Sequence, residues 1–247
     1  MNLTFSGKTA MLCGGSCDLG LVLAPLLLSH GIRPVLTYRS PESFSRITVA
    51  LKDMPATYTT CFLDLNHIPS IDKAFSDLDN SLDYLVDFAQ GDYEALVASA
   101  DPIRVAGYME ANVTAKAVML KNAGRIMINQ HGGRLVFVSS TAAGRPNPGQ
   151  GFYAASKLAA EALYKNMALE LGRMGISTVT LRPGYIEAGR GKGFIETNRD
   201  TLIKRIPSQS FITADDVAAT ILFLLSDQAK GFNATELTMD GGLSAGK

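Results

Sequence analysis

The chain has 247 residues, 47% of them hydrophobic, which supports one large core and requires no second domain. Lys plus Arg and Asp plus Glu number 23 each, so no one-signed field favours nucleic acid or an anionic membrane surface as partner. With only His30, His67 and His131, and only Cys13, Cys17 and Cys61, neither a metal site nor a disulfide scaffold is expected, and a reducing cytoplasm suits the thiols.

No apolar run approaches the ~18 residues of a membrane span, and the opening MNLTFSGK lacks the basic and apolar regions of a signal peptide. A cytoplasmic protein with no membrane partner is therefore expected. In chain order, residues 8–13 read as a short apolar strand, GGSCDLG as a turn and residues 19–30 as a helix. The strand at 33–38 and a helix at 42–52 follow, then a strand at 58–62, a helix at 71–78 and a strand at 82–88. A long helical stretch spans 102–129, a strand 135–139 and a further helix 152–174. Residues 176–182 supply another strand. RPGYIEAGRGKGF reads as a glycine-rich excursion too polar for the core, and a helix at 215–225 follows a Thr213 cap. The last strand, 237–239, is closed by DGG. Strands followed by crossover helices give a parallel sheet with helices on both faces, so the fold class is α/β, a Rossmann-like doubly wound sheet in a single domain.

The first turn, Cys13-Gly14-Gly15-Ser16-Cys17-Asp18-Leu19-Gly20, suits a dinucleotide diphosphate, because glycines let the backbone approach while the next helix presents unpaired N–H groups. The second strand ends in Tyr38-Arg39-Ser40, with no acidic residue to bind the adenosine ribose hydroxyls. Arg39 suits a ribose 2'-phosphate, which favours NADP(H) and leaves NAD(H) possible; the plainer reading is a solvated charge.

Residues 139–157, SSTAAGRPNPGQGFYAASK, hold the reactive side chains whose spacing implies a reaction. Tyr153 and Lys157 stand four residues apart on one helix and share a face. Ser139 and Ser140 end the strand before it, and the Gly/Pro-rich segment 144–151 lets the chain turn back toward them. A tyrosine of reference pKa ~10 is a poor acid or base near neutrality, and a nearby ammonium is expected to lower it. The trio suits proton delivery to a carbonyl oxygen, or its removal from an alcohol; the alternative is that Tyr153 anchors a helix, Lys157 is solvated and the serines cap a strand.

On these residues the chain resembles the short-chain dehydrogenase/reductase family over essentially its whole length, in particular the 3-oxoacyl-[acyl-carrier-protein] reductases. A serine thirteen residues before a Y-x-x-x-K is matched by Ser140, Tyr153 and Lys157, and the asparagine of the long central helix by Asn112. The resemblance implies that Asn112 kinks that helix and holds a water linking Lys157 to solvent. It further implies that Asp64, beside Leu65, contacts adenine, and that Pro183, Gly184 and Ile186 flank the nicotinamide. Gly14, Ser16, Cys17, Asp18, Leu19, Gly20, Tyr38, Arg39 and Ala89, with Tyr153 and Lys157, complete the implied cofactor site.

Three stretches depart from the family pattern. Asp18 stands where the middle glycine of the turn motif is usual, and would either cap the helix starting at Leu19 or crowd the diphosphate. Asp87-Phe88-Ala89-Gln90 replaces N-N-A-G, and Ala188 replaces the threonine that bonds the carboxamide. The resulting expectation is reduction of a ketone, of 3-oxoacyl or polyketide type and possibly carrier-linked, to the secondary alcohol. The alternatives are another NAD(P)-dependent alcohol dehydrogenase and a non-catalytic dinucleotide-binding subunit. A substrate lid is expected at 188–205, where Arg190, Lys192, Arg199, Lys204 and Arg205 suit an anionic substrate or form a solvated surface. A homo-oligomer, tetramer or dimer, is implied, with Val105, Met109, Val113, Ala117 and Leu120 facing Leu158, Ala162, Met167 and Leu171 across paired helices; a buried intrachain face is the alternative.

Overall fold

A computed structural model describes residues 2–54, 57–78 and 81–245. Seven strands form one sheet: β1 (Thr9–Cys13), β2 (Arg33–Tyr38), β3 (Thr59–Phe62), β4 (Tyr84–Asp87), β5 (Gly133–Val138), β6 (Ile176–Pro183) and β7 (Thr235–Met239). All pair in parallel, in the order β3-β2-β1-β4-β5-β6-β7. The order reverses between β1 and β4, where Cys13 lies opposite Asp87, and a crevice opens at the carboxyl ends of the strands.

Strands buried on both faces read as continuous apolar runs, and all residues of β1 and β4 are buried. Alternate residues serve alternate cores. Met11, Leu85 and Phe137 pack with helices α3 (Ile68–Ser76), α5 (Ala115–Asn129) and α6 (Gly151–Leu171). Ala10, Leu12, Val136 and Leu181 pack on the other face with α1 (Asp18–Ser29), α2 (Pro41–Ala50) and α8 (Ala214–Leu225). The expected Thr213 cap is present: its hydroxyl accepts from the Asp216 amide, and Asp216 reciprocates at the Thr213 amide.

Two segments differ from the sequence reading. The helical stretch at 102–129 is two α-helices, α4 (Pro102–Met109) and α5, joined by a wider, π-type turn over Glu110–Thr114 that contains Asn112. The region read as a glycine-rich excursion carries α7 (Gly191–Ile203), which breaks at Asn198 and buries only Ile195 and Leu202. With two anchors in thirteen residues, its amphipathic period is too weak to read through the glycines and charges.

Candidate active site

The crevice is a cleft of about 570 Å³. Its walls come from the start of α1 (Cys17, Asp18, Leu19), the end of β4 (Phe88, Gln90), the end of β5 with α6 (Ser140, Tyr153, Lys157) and the segment after β6 (Pro183, Gly184, Ile186, Ala188, Arg190). The turn from β1 to α1 fits a close-approaching anion. Gly14 has φ +73°, and a Cβ there would lie 3.0 Å from the Ala89 backbone. A Cβ on Gly20 would lie 2.5 Å from the Gly15 carbonyl oxygen, so α1 can sit this near the turn only with glycine at that position.

Asp18 does not cap α1. The α1 cap is Cys17, whose Sγ accepts from the Gly20 amide at 3.4 Å. The Asp18 carboxylate turns outward, accepting from Arg46 of α2 at 2.5 Å and from the Gly189 amide at 2.6 Å. It thus ties the segment after β6 across the cleft mouth. Arg190 fastens the other side, donating to the Gly91 carbonyl at 3.1 Å and lying 3.6 Å from Asp92.

On the opposite wall, Ser140 closes β5 and its Oγ accepts from the Ala142 amide at 3.1 Å. It also offers a hydrogen bond to the Tyr153 hydroxyl, which favours the phenolate, but burial is the larger influence and leaves the Tyr153 pKa raised. The expected lowering of Tyr153 by Lys157 is not found: the nearby cation acting on it is Arg190. Lys157 donates to the Val138 carbonyl at 2.8 Å and its Nζ lies 5.8 Å from the Tyr153 ring centre. Burial, with Lys116 as the next cause, lowers Lys157 to about 7.

Asn112 is fully buried, with its Nδ2 donating to the Tyr108 carbonyl at 2.8 Å and its Oδ1 accepting from the Gly91 amide at 2.6 Å. The first bond runs within the helix where the turn widens, and the second pins the loop after β4 to it. Ser139 is buried beside the cleft, its hydroxyl donating to Glu161, which also holds Arg182 at 2.8 Å. Gln90 donates to Tyr108 at 2.7 Å and to Ser156 at 3.1 Å. Its Oε1 is the buried side-chain atom left without a partner among the described residues.

The remaining sequence-predicted residues lie outside this lining. Tyr38 packs between Phe44 and Phe62, with ring centres at 5.0 and 6.0 Å, and Arg39 is exposed beyond it. Asp64 accepts from the Asn66 amide at 3.0 Å, Leu65 is in the core, and the Ala89 carbonyl accepts from Lys116 at 2.6 Å. Gly14, Ser16 and Gly20 shape the turn behind the lining. Arg46 and Lys116 escaped the sequence reading. The carboxylates at positions 18 and 87 signal a need for cations, but which cations answer depends on contacts 28 and 29 residues away.

A family model described as enoyl-(acyl carrier protein) reductase matches residues 17–244. The 3-oxoacyl-[acyl-carrier-protein] reductase of Rickettsia prowazekii is 27% identical over 241 residues, 98% of each chain. That of Vibrio cholerae is 27% identical over 243 residues, 98% of this chain and 99% of the other. Among solved structures, a gluconate 5-dehydrogenase from Burkholderia cenocepacia, in complex with NADP and tartrate, has a TM-score of 0.90 at 24% identity, covering 99% of this chain and 98% of its own. A short-chain type dehydrogenase/reductase from Mycobacterium ulcerans has a TM-score of 0.92 at 24% identity, covering 99% and 92%. The match to the family model covers the chain from the glycine turn to the last strand, and with it the chain belongs to the short-chain dehydrogenase/reductase family, related to its 3-oxoacyl-[acyl-carrier-protein] reductases.

Proposed function

We propose that the protein is an NADPH-dependent ketone reductase, with a 3-oxoacyl thioester or a related polyketide-type ketone as substrate and the secondary alcohol as product. The observation that carries this reading is the placement of Ser140, Tyr153 and Lys157 on one cleft wall, facing the glycine turn and the start of α1. In the mechanism, the Ser140 and Tyr153 hydroxyls bind the carbonyl oxygen, and Tyr153 gives its proton to that oxygen as the carbon is reduced. When bound, the dihydronicotinamide supplies the hydride. Lys157 holds the nicotinamide ribose, and Arg190 is the cation that favours the phenolate Tyr153 becomes. A tyrosine raised by burial stays protonated near neutrality, as proton delivery to the carbonyl oxygen requires.

The residues assigned to the cofactor are those of the turn (Gly14, Ser16, Cys17, Asp18, Leu19, Gly20), the β2 end (Tyr38, Arg39), Asp64, Leu65, Ala89, and Pro183, Gly184 and Ile186. Preference for NADP(H) over NAD(H) rests on Tyr38-Arg39-Ser40, which lacks a carboxylate, and on Arg46 as a second cation on the cleft. The lid is segment 188–205. Two of its five cations are already engaged, Arg190 with Asp92 and Arg199 with Glu187. Lys192, Lys204 and Arg205 remain exposed and suit an anionic or carrier-linked substrate.

A panel of ketones and alcohols with NADPH and NADH, followed at the reduced-nicotinamide absorbance, tests the reading. Turnover of a 3-oxoacyl thioester with NADPH is expected; activity confined to alcohols with NAD would overturn it. The second reading, a non-catalytic dinucleotide-binding subunit, is favoured by the Asp18 tie across the cleft mouth. It predicts cofactor binding with no turnover on any member of the panel.

We also propose a homo-oligomer. Leu120 and Met167 turn into the core, whereas Ala117, Leu158 and Ala162 stay exposed and Val105, Met109 and Val113 half-buried, leaving an apolar face across α4, α5 and α6. Sedimentation at micromolar protein is expected to give a dimer or tetramer, and a monomer would remove the proposal. Among the described residues no helix is long and apolar enough to cross a membrane.

A further inference from the structure

A buried charge pair stands behind the cleft wall without lining it. Asp87 ends β4 and Lys116 lies in the first turn of α5; both side chains are wholly shielded from solvent. Lys116 Nζ donates to Asp87 Oδ2 at 2.6 Å and to the Ala89 carbonyl at 2.6 Å. Asp87 also accepts from the Tyr164 hydroxyl at 3.0 Å and from the Ala89 amide at 2.9 Å. Four bonds therefore fix the turn that carries Gln90 to the cleft. The same ammonium lies over the Phe137 ring, 5.2 Å from its centre, and Lys157 Nζ lies over that ring at 4.9 Å. Both lysines lie against one ring, yet the carboxylate is bonded to Lys116, while Lys157 has a neutral carbonyl.

We propose that Lys116 is a positioning residue for Lys157: held by Asp87, it fixes the end of β4 against the cleft and sets the local field in which Lys157 binds and releases its proton. The proposal rests on Lys157 belonging to the proton-handling site proposed above, but its consequence is a property of the ligand-free protein. Charged groups face Lys157 from every side. Lys116 on α5 and Arg190 after β6 oppose its ammonium, whereas Asp87 on β4 and Glu161 on its own helix favour it. The Tyr153 phenol stands beside it, neutral near pH 7. Burial has the largest effect, and Lys116 has the largest of the charges.

The signs follow from these positions. Removing the Lys116 charge makes Lys157 easier to protonate and moves its titration midpoint up; removing the Asp87 charge moves it down. Removing both leaves the difference, an upward shift smaller than for Lys116 alone. The test is a ¹³C NMR titration of lysine ε-carbons in the ligand-free protein, with Lys157→Met to assign the signal. Lys116→Met is expected to raise the midpoint by about one pH unit. Asp87→Asn is expected to lower it, and the double variant to raise it less.

A purely structural role for the pair moves stability and leaves the midpoint in place, so folded variants titrating with the wild type overturn the proposal. If a single variant fails to fold, the double variant, which leaves no buried charge unpaired, decides alone: an unchanged or lowered midpoint is the negative result. Shifted midpoints in a protein that turns over no ketone would instead overturn the functional reading and leave this one standing.

Discussion

Replacing Tyr153 by Phe is expected to lower ketone turnover by at least ~100-fold while leaving NADPH affinity within about twofold. The substitution removes one hydroxyl and keeps the ring, so the packing of α6 against the end of β5 survives. What is lost is the proton donor and one of two hydrogen bonds to the carbonyl oxygen. Ser140 alone can still orient that oxygen, but its alcohol is a far weaker acid than a phenol. Because these interactions strengthen as negative charge develops on oxygen, the loss belongs in kcat rather than in binding of the cofactor. Steady-state kinetics beside a fluorescence titration of NADPH separate the two quantities. Near wild-type reduction by the Phe variant would end the assignment of Tyr153 as the acid.

Asp87→Ala is expected to destabilise the protein by about 3–5 kcal/mol, because it leaves a buried ammonium without its counter-ion. The Tyr164 hydroxyl and the Ala89 amide lose their acceptor in the same step. The Lys116 side chain is wholly shielded from solvent. For a domain of this size, the loss corresponds to a melting temperature lower by roughly 10 °C. Replacing Asp87 by Asn and Lys116 by Met together is expected to recover most of it, since a neutral pair of similar volume removes both desolvated charges. Chemical denaturation of the wild type, Asp87→Ala and the double variant measures the loss and its recovery. A single-variant loss under about 1 kcal/mol would show that water reaches the pair.

Much of the fold was legible because its strands are buried on both faces. TAMLC, YLVD and the apolar half of GRLVFV leave little choice but a central parallel sheet, and the helices between them settle the crossover topology. The trio of Ser140, Tyr153 and Lys157 was legible for a different reason: two residues share a helical face and the third ends the preceding strand, so local geometry suffices to bring them together. Asp18 was misjudged because its partners, Arg46 and Gly189, lie 28 and 171 residues away, and an acidic residue at a helix start reads by default as a cap. Helix α7 was hidden by its two glycines and surface charges. The break of the helix at Asn112 was legible through the family resemblance, whereas its bond to Gly91 appears only in the folded chain. The Tyr153 environment was misread for a similar reason: sequence places an ammonium four residues away but does not say that it points to the Val138 carbonyl.

The tie between Asp18 and Gly189 also bears on when the site can exist. It closes a loop of 171 residues, and the other cleft walls come from the ends of β4, β5 and β6, so the binding surface is assembled almost entirely from contacts distant in sequence. Such contacts form late, because loop-closure entropy is lost before the pairing rewards it. A chain still emerging from the ribosome holds the glycine turn from its first twenty residues but lacks the segment after β6 until residue 191 has been made. A ligand stabilises only the state that binds it, so its free energy is withheld from the nascent half and delivered to the finished one. The first strands are therefore held by their own packing, and any dinucleotide the cleft binds adds its free energy only to the completed domain.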